Sequence, residues 1–145
     1  MLKSFRCDLH VHTCLSPCAE LDMYPRALVA RCLAVGLDAV AICDHNASEN
    51  IAWVRRCAAG TPLTVLAGME IASREEVHLL ALFDIEEELF PLQEWVSRHL
   101  PGRNDERLFG CQAIVNDRDE VEGFCDRLLI GATELPLQEI AEKIH

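Results

Sequence analysis

The chain has 145 residues, half of them apolar, and a formal net charge of −11 from 24 acidic and 13 basic side chains. This length and apolar content predict one folded domain and exclude a disordered chain. The acidic excess excludes a broad nucleic-acid-binding face, because such faces neutralise phosphates with lysine and arginine. No secretory leader or bilayer-spanning segment is recognised, so we expect a cytoplasmic protein without membrane contact and eight reduced cysteines.

The hydrophobic pattern predicts strands and helices in alternation along the chain. Strands are predicted at 5–12, 37–43, 63–69 and 76–83, helices at 23–35, 46–60, 84–101 and 136–145, and a β-hairpin at 111–124. The second and third helices are predicted to begin with caps at 46–49 and 84–87. Such alternation is typical of a parallel α/β fold, here a partial (βα) barrel, because a complete barrel needs roughly 200 residues or more.

Chemistry-bearing residues are predicted where these strands end. His10 and His12 are two apart in the first strand, so both imidazoles face one way and can chelate a divalent ion. Asp8 is predicted on the same face, where its carboxylate would orient a ligating histidine. The alternative is that these are ordinary histidines in a strand.

Three further candidate ligands follow in the chain. His45 comes directly after the second apolar run, preceded by Asp44, where an α/β fold places active-site groups. Glu70 and His78 close the next two runs, and a buried carboxylate is costly unless it is paired or bound to metal. The alternatives are hydrogen-bonded structural histidines and a Glu70 paired with Arg74.

Two cysteines lie just after the first strand, at Cys14 and Cys18. With two histidines nearby, they are compatible with a structural zinc site, although the spacing is loose. The other interpretation is that a single thiolate joins a metal cluster.

Taken together, these motifs resemble the opening motifs of the polymerase and histidinol phosphatase (PHP) domain family. The matching segments are DLHVHT at 8–13, CDHN at 43–46, GMEI at 68–71 and EVHLLALF at 76–83. The resemblance implies a distorted TIM-like (βα) barrel of the PHP type with up to three Zn, Mn or Fe ions at its strand ends. It also implies hydrolysis of a phosphate mono- or diester by metal-activated water, on a phosphorylated small molecule or a nucleic-acid end.

The same resemblance implies a role for particular side chains. Metal ligands are implied in three groups: His10, His12 and Glu70; Glu70 and His78; His45 and Cys18. Cys18 stands where the family often has His or Asp, and a thiolate there favours zinc or iron over manganese or magnesium. In such a mechanism Asp44 and Asp8 would orient ligands. Arg74 or Arg127 could contact the phosphate, but no motif places either of them there.

The family's later motifs, a histidine on a later strand and an Asp-x-His pair, do not follow here. We therefore expect incompletely liganded metal sites in a domain truncated before those motifs, with open strand edges that permit self-association. A non-catalytic metal-binding or interaction module is the alternative to a phosphoesterase or its N-terminal portion. An amidohydrolase is a third possibility, but its bridging lysine has no counterpart, since Lys3 and Lys143 are the only lysines.

Overall fold

The computed structural model describes residues 2–145, with six strands and five α-helices in that part of the chain. The strands are β1 (Cys7–Val11), β2 (Ala39–Ile42), β3 (Thr64–Ala72), β4 (His78–Phe83), β5 (Ala113–Val115) and β6 (Val121–Phe124). The helices are α1 (Pro25–Ala34), α2 (Ile51–Ala58), α3 (Leu89–Arg98), α4 (Glu106–Phe109) and α5 (Leu137–Ile144), and a 3-10 turn (Glu86–Glu88) precedes α3. Every predicted element is present, with shifted ends, and only the short α4 was not predicted.

The first four strands form a mixed sheet in the order β1-β2-β3-β4, which with its helices makes a half-barrel. The first three strands are parallel, as expected for the α/β fold, but β4 is antiparallel to β3, so the expected parallel direction is wrong for this strand. The reason is the short connection after Ala72, where the N–H of Ser73 donates to the carbonyl oxygen of Val77 at 2.9 Å. A turn this short permits only a hairpin, whereas a parallel crossover needs a dozen or more residues.

One face of the sheet packs against the helices and forms the main core. Alternate residues of β3, including Val65, Met69 and Ile71, contact apolar side chains of α1, α2, α3 and α5. Residues of the other face include Glu70 on β3 and the part-exposed Leu80 on β4. The open side of the half-barrel is therefore the side on which polar strand-end residues can meet.

Gly68 brings β2 and β3 close together on that open side. A Cβ at this position would lie 2.8 Å from both the Sγ of Cys43 and the carbonyl oxygen of Ile42. Real Cβ atoms do not approach that closely, so glycine is required here. The close approach helps to set the spacing between the ends of β2 and β3.

The two predicted helix caps are wrong. Asn46 has a positive φ of 49°, and its side chain donates to the carbonyl oxygens of Leu129 and Gly131 instead of capping α2. It also accepts from the N–H of Ala72, so it joins three segments that are distant in the chain. The residues before α3 form a 3-10 turn without a side-chain cap, and Asp84 does not serve as one.

The hairpin of β5 and β6 is confirmed, and it is hydrogen-bonded to the residue just before α2. Asn50 donates to the carbonyl oxygen of Ala113 at 3.1 Å and accepts from the N–H of Val115 at 3.0 Å.

A second, smaller apolar cluster includes residues of the loops that follow β1 and β2. Its buried members are Leu15, Ala47, Leu100 and Leu129. All eight cysteines are free, as expected.

Within residues 2–145, none of the helices combines the length and apolar character needed to cross a membrane.

Candidate metal centre

Four histidines from three segments surround a single carboxylate at one edge of the sheet. His10 lies near the end of β1 and His12 just beyond it, while His45 follows β2 and forms an isolated bridge with Glu70. His78 is the first residue of β4, so the prediction that it ends a strand is wrong. It nevertheless reaches the same edge, because β4 is antiparallel and Ala72 pairs with His78.

Glu70 is the centre of this cluster. The Oε2 atom of Glu70 lies 2.8 Å from Nε2 of His10, 3.1 Å from Nε2 of His12 and 3.6 Å from Nδ1 of His45. Its other oxygen, Oε1, lies 2.6 Å from Nδ1 of His78. Arg74 pairs instead with Glu75, so the alternative of a Glu70–Arg74 ion pair is wrong.

The four imidazoles differ in burial. The side chain of His45 is 7% exposed and that of His12 19%, and their rings stack with centroids 4.6 Å apart. The side chains of His10 and His78 are 44% and 43% exposed. The cluster therefore has a buried side and a side open to solvent.

Burial and mutual contact shift the pKa values of these groups. Burial lowers the pKa of His45 to about 4 and lowers that of His12 too, against the attraction of Glu70. Burial also raises the pKa of the Glu70 carboxyl, but the hydrogen bonds from His10 and His78 outweigh it, and the pKa is lowered overall. Near neutral pH the buried imidazoles are uncharged and Glu70 is ionised, which are the states that bind metal ions.

Asp44 anchors the loop that carries His12. Its fully buried carboxylate accepts hydrogen bonds from the N–H of Thr13 at 2.7 Å, the hydroxyl of Thr13 at 2.8 Å and the hydroxyl of Ser16 at 2.7 Å. Burial raises the pKa of Asp44 to about 6, although these hydrogen bonds act in the opposite direction. The predicted residue is thus at the site, where it contacts the loop and not an imidazole.

Ser16 is the residue that the sequence analysis missed. Its Oγ lies 3.1 Å from Nδ1 of His12 and accepts from the N–H of His45 at 3.0 Å. Ser16 therefore connects Asp44 with two of the candidate ligands. A buried serine four residues after a candidate ligand carries no distinctive pattern, so nothing in the sequence pointed to it.

Asp8 lies elsewhere, and the expectation that it shares a face with the histidines is wrong. The register between β1 and β2 shifts between Asp8 and Val11, which breaks the alternation of side chains on which the expectation depended. Asp8 pairs with Val40, whose side chain is in the core, and it lines a cavity beside α1. Its carboxylate accepts from the backbone N–H of His10 at 3.3 Å.

The remaining predicted residues are divided between the cluster and other places. Cys18 lies in the cluster, where its thiol and the nearest nitrogens of His12 and His45 are all within 4.8 Å of one another. Cys14 is buried and contacts the hairpin through the carbonyl oxygen of Ala113. Arg127 donates to the carbonyl oxygen of Leu100 and is held there.

The donor set fits divalent metal ions. Two further groups of possible ligands meet the same 4.8 Å distance, one of His10, His12 and Glu70 and the other of His45, Glu70 and His78. The Nδ1 atom of His45 is buried without a hydrogen-bond partner among residues 2–145. A buried polar atom without a partner is costly, and a metal ion at the cluster would provide one. Imidazole and carboxylate together suit Zn, Mn or Fe.

The family model of the PHP domain matches residues 8–135. The chain therefore belongs to the PHP domain family, which confirms the resemblance inferred from its motifs. None of the curated proteins compared with the chain matches it.

Two solved structures are similar to the chain. One is a candidate metal-dependent phosphoesterase from Bifidobacterium adolescentis, 27% identical, with a TM-score of 0.54 over 70% of this chain and 35% of that one. The other is an amidohydrolase from Chromobacterium violaceum with bound sulfate and no metal, 22% identical, with a TM-score of 0.46 over 62% of this chain and 32% of that one. The second similarity is too weak to carry an argument about function. The chain spans about a third of the length of each.

Proposed function

We propose that this chain is a metal-dependent phosphoesterase, or a portion of one, that hydrolyses a phosphate mono- or diester. The observation that carries the proposal is the convergence of His10, His12, His45 and His78 on Glu70, which gathers imidazole nitrogens around one carboxylate. Membership of the PHP family and the similarity to the Bifidobacterium protein support phosphoesters as the substrate class.

The candidate ligands would hold up to three metal ions. His10, His12 and Glu70 would hold one ion, Glu70 and His78 would contribute to a second, and His45 and Cys18 would contribute to a third. When bound, such ions polarise phosphoryl oxygens and activate water for attack on phosphorus.

The other residues of the site would position these ligands. Asp44 would hold the Thr13–Ser16 loop in place, and Glu70 would fix the exposed imidazoles through its hydrogen bonds to His10 and His78. The open side of the cluster, beside His10 and His78, would admit the phosphate group. The substrate would be a phosphorylated small molecule or a nucleic-acid end, because the acidic chain offers few cations for a long nucleic acid.

The test is hydrolysis of p-nitrophenyl phosphate and its bis ester by the chain loaded with Mn²⁺ or Zn²⁺, with metal binding measured separately by calorimetry. Because the metal sites are expected to be incompletely liganded, we expect little or no turnover by these 145 residues. Metal binding should be weakened in Glu70→Gln and unchanged in Glu76→Gln, whose side chain is exposed. Robust metal-dependent turnover would support hydrolysis by the chain itself, whereas metal binding without turnover would support a portion of a phosphoesterase or a non-catalytic metal-binding module. Failure to bind either metal would contradict the proposal altogether.

A further inference from the structure

The buried side of the cluster contains a hydroxyl with no spare hydrogen. Ser16 Oγ has three polar neighbours: the carboxylate of Asp44 at 2.7 Å, the N–H of His45 at 3.0 Å and Nδ1 of His12 at 3.1 Å. A serine hydroxyl donates one hydrogen bond and accepts up to two. Since it donates to the carboxylate, it accepts from both remaining neighbours.

This count determines which ring nitrogen of His12 carries the proton. The ring has two candidate acceptors: Ser16 Oγ for an Nδ1–H and Oε2 of Glu70 for an Nε2–H. Because Oε2 already accepts from Nε2 of His10 at 2.8 Å, we assign the His12 proton to Nδ1, where it completes the hydrogen bonds of Ser16, and the lone pair to Nε2. Nε2 is also the atom that faces Glu70, at 3.1 Å from Oε2. The lone pair and the carboxylate thus point toward the same space, where a bound cation would contact both.

The environment holds this arrangement in place. Ser16 is 1% exposed and Asp44 is fully buried. Thr13 donates twice to Asp44, and its hydroxyl accepts from Asn50 at 2.9 Å, which links the loop after β1 to the start of α2. Because both groups are buried, neither the hydroxyl of Ser16 nor the carboxylate of Asp44 can exchange these hydrogen bonds for hydrogen bonds to water.

We propose that Ser16, polarised by Asp44, is a positioning residue that sets the Nδ1–H tautomer of His12 and thereby presents Nε2 to the metal site. A ligating histidine commonly donates its other ring N–H to a fixed acceptor, and loss of that acceptor typically costs about 10–100-fold in metal affinity. The consequence for metal binding rests on the metal site of the proposed function. The tautomer itself is a property of the metal-free chain.

The test is the tautomer of His12 in the metal-free chain at neutral pH, read from two-bond ¹H–¹⁵N correlations of its ring and assigned with His12→Gln. We expect Nδ1–H in the wild type and a shift toward Nε2–H in Ser16→Ala. Zinc affinity, measured by calorimetry, should fall by about 10–100-fold in the same variant. Ser73→Ala is the matched control, because Ser73 is also buried and its hydroxyl accepts from the backbone N–H of Val77.

An Nε2–H tautomer in the wild type would overturn the proposal, as would a folded Ser16→Ala variant with an unchanged tautomer. If Ser16→Ala does not fold, Ser16→Thr retains the hydroxyl and should retain Nδ1–H, while a folded Ser16→Thr with Nε2–H would also overturn it. If the chain binds no zinc, the proposed function fails, yet the tautomer of the metal-free protein still decides this inference.

Discussion

The two sides of the histidine cluster are built differently. On the buried side, His12 and the backbone of His45 are tied to Ser16, which Asp44 holds in turn. On the open side, His10 and His78 are about half exposed, and their rings are hydrogen-bonded to Glu70. One side of the site is therefore organised before any ligand binds, whereas the other side can adjust when metal and substrate bind.

The largest effect on the free energy of unfolding is expected from Asp44→Ala, which tests whether the hydrogen bonds of the buried side stabilise the fold. The substitution leaves the N–H of Thr13 and the hydroxyls of Thr13 and Ser16 without their acceptor. At about 1–3 kcal/mol for each buried unsatisfied group, the free energy of unfolding should fall by at least roughly 3 kcal/mol. Urea denaturation of the metal-free protein, followed by circular dichroism, measures this change.

The control for that substitution is Asp84→Ala, at an exposed position. It should change the free energy of unfolding by no more than about 0.5 kcal/mol. A similar small change in Asp44→Ala would show that the buried network does not stabilise the fold.

Glu70→Gln should have the next largest effect, because Glu70 is the group that both sides share. The substitution preserves the shape of the side chain but removes the charge that faces four imidazoles. We expect zinc affinity to fall roughly 100-fold, at the upper end of the range for groups around a metal ligand. Calorimetric titration measures it, and unchanged affinity would exclude Glu70 as a ligand.

A smaller effect is expected from pH on the metal-free protein, because the interval from pH 6.5 to 4.5 covers only part of the titration of His45. The pKa of His45 is about 4 in the folded chain, against 6.5 for an unperturbed histidine. Between these values the unfolded chain binds more protons at this position, so its contribution to stability is present above pH 6.5 and is lost as the pH falls toward 4.

The measurement compares the wild type with His45→Gln by urea denaturation at pH 6.5 and 4.5. The wild type should lose more stability on acidification than the variant. Asp44 acts in the opposite direction, since its pKa is raised to about 6, but it is present in both proteins. Equal losses in the two proteins would contradict the shifted pKa of His45.

The smallest effect on stability is expected from His10→Ala, on the open side. The side chain of His10 is 44% exposed, so its removal costs mainly the hydrogen bond to Glu70, and the free energy of unfolding should fall by roughly 1 kcal/mol. His12→Ala on the buried side should cost more, because it leaves a cavity and an unpaired hydroxyl acceptor. Equal costs in urea denaturation would remove the distinction between the two sides.

Much of the fold could be predicted from the sequence because the deciding forces are local. Apolar runs and helical periodicity identified the strands and α1 to α3 and α5 to within a few residues. The direction of β4 could not be predicted in this way. It depends on the turn after Ala72, and an apolar strand has the same composition whichever way it runs.

The residues of the candidate site could likewise be predicted only in part. Five of the candidate ligands were recognisable, because histidine and glutamate are uncommon at the ends of apolar runs. They are His10, His12, His45, Glu70 and His78. Asp8 was misplaced, because a register shift in β1 breaks the alternation that a sequence pattern assumes. Ser16 was missed, because its role depends on three contacts from residues 4, 28 and 29 positions away.

The sequence by itself determined the residue types of the site, the order of its strands and helices, and membership of the PHP family. The tertiary structure alone decided that four imidazoles meet at Glu70 and that Asp44 acts through Ser16 rather than on a ring. The physical reason is the separation in sequence of the residues that interact. Periodicity and strand ends depend on neighbouring residues. The pairing of donors with acceptors depends on segments that only the folded sheet brings within about 3 Å of one another.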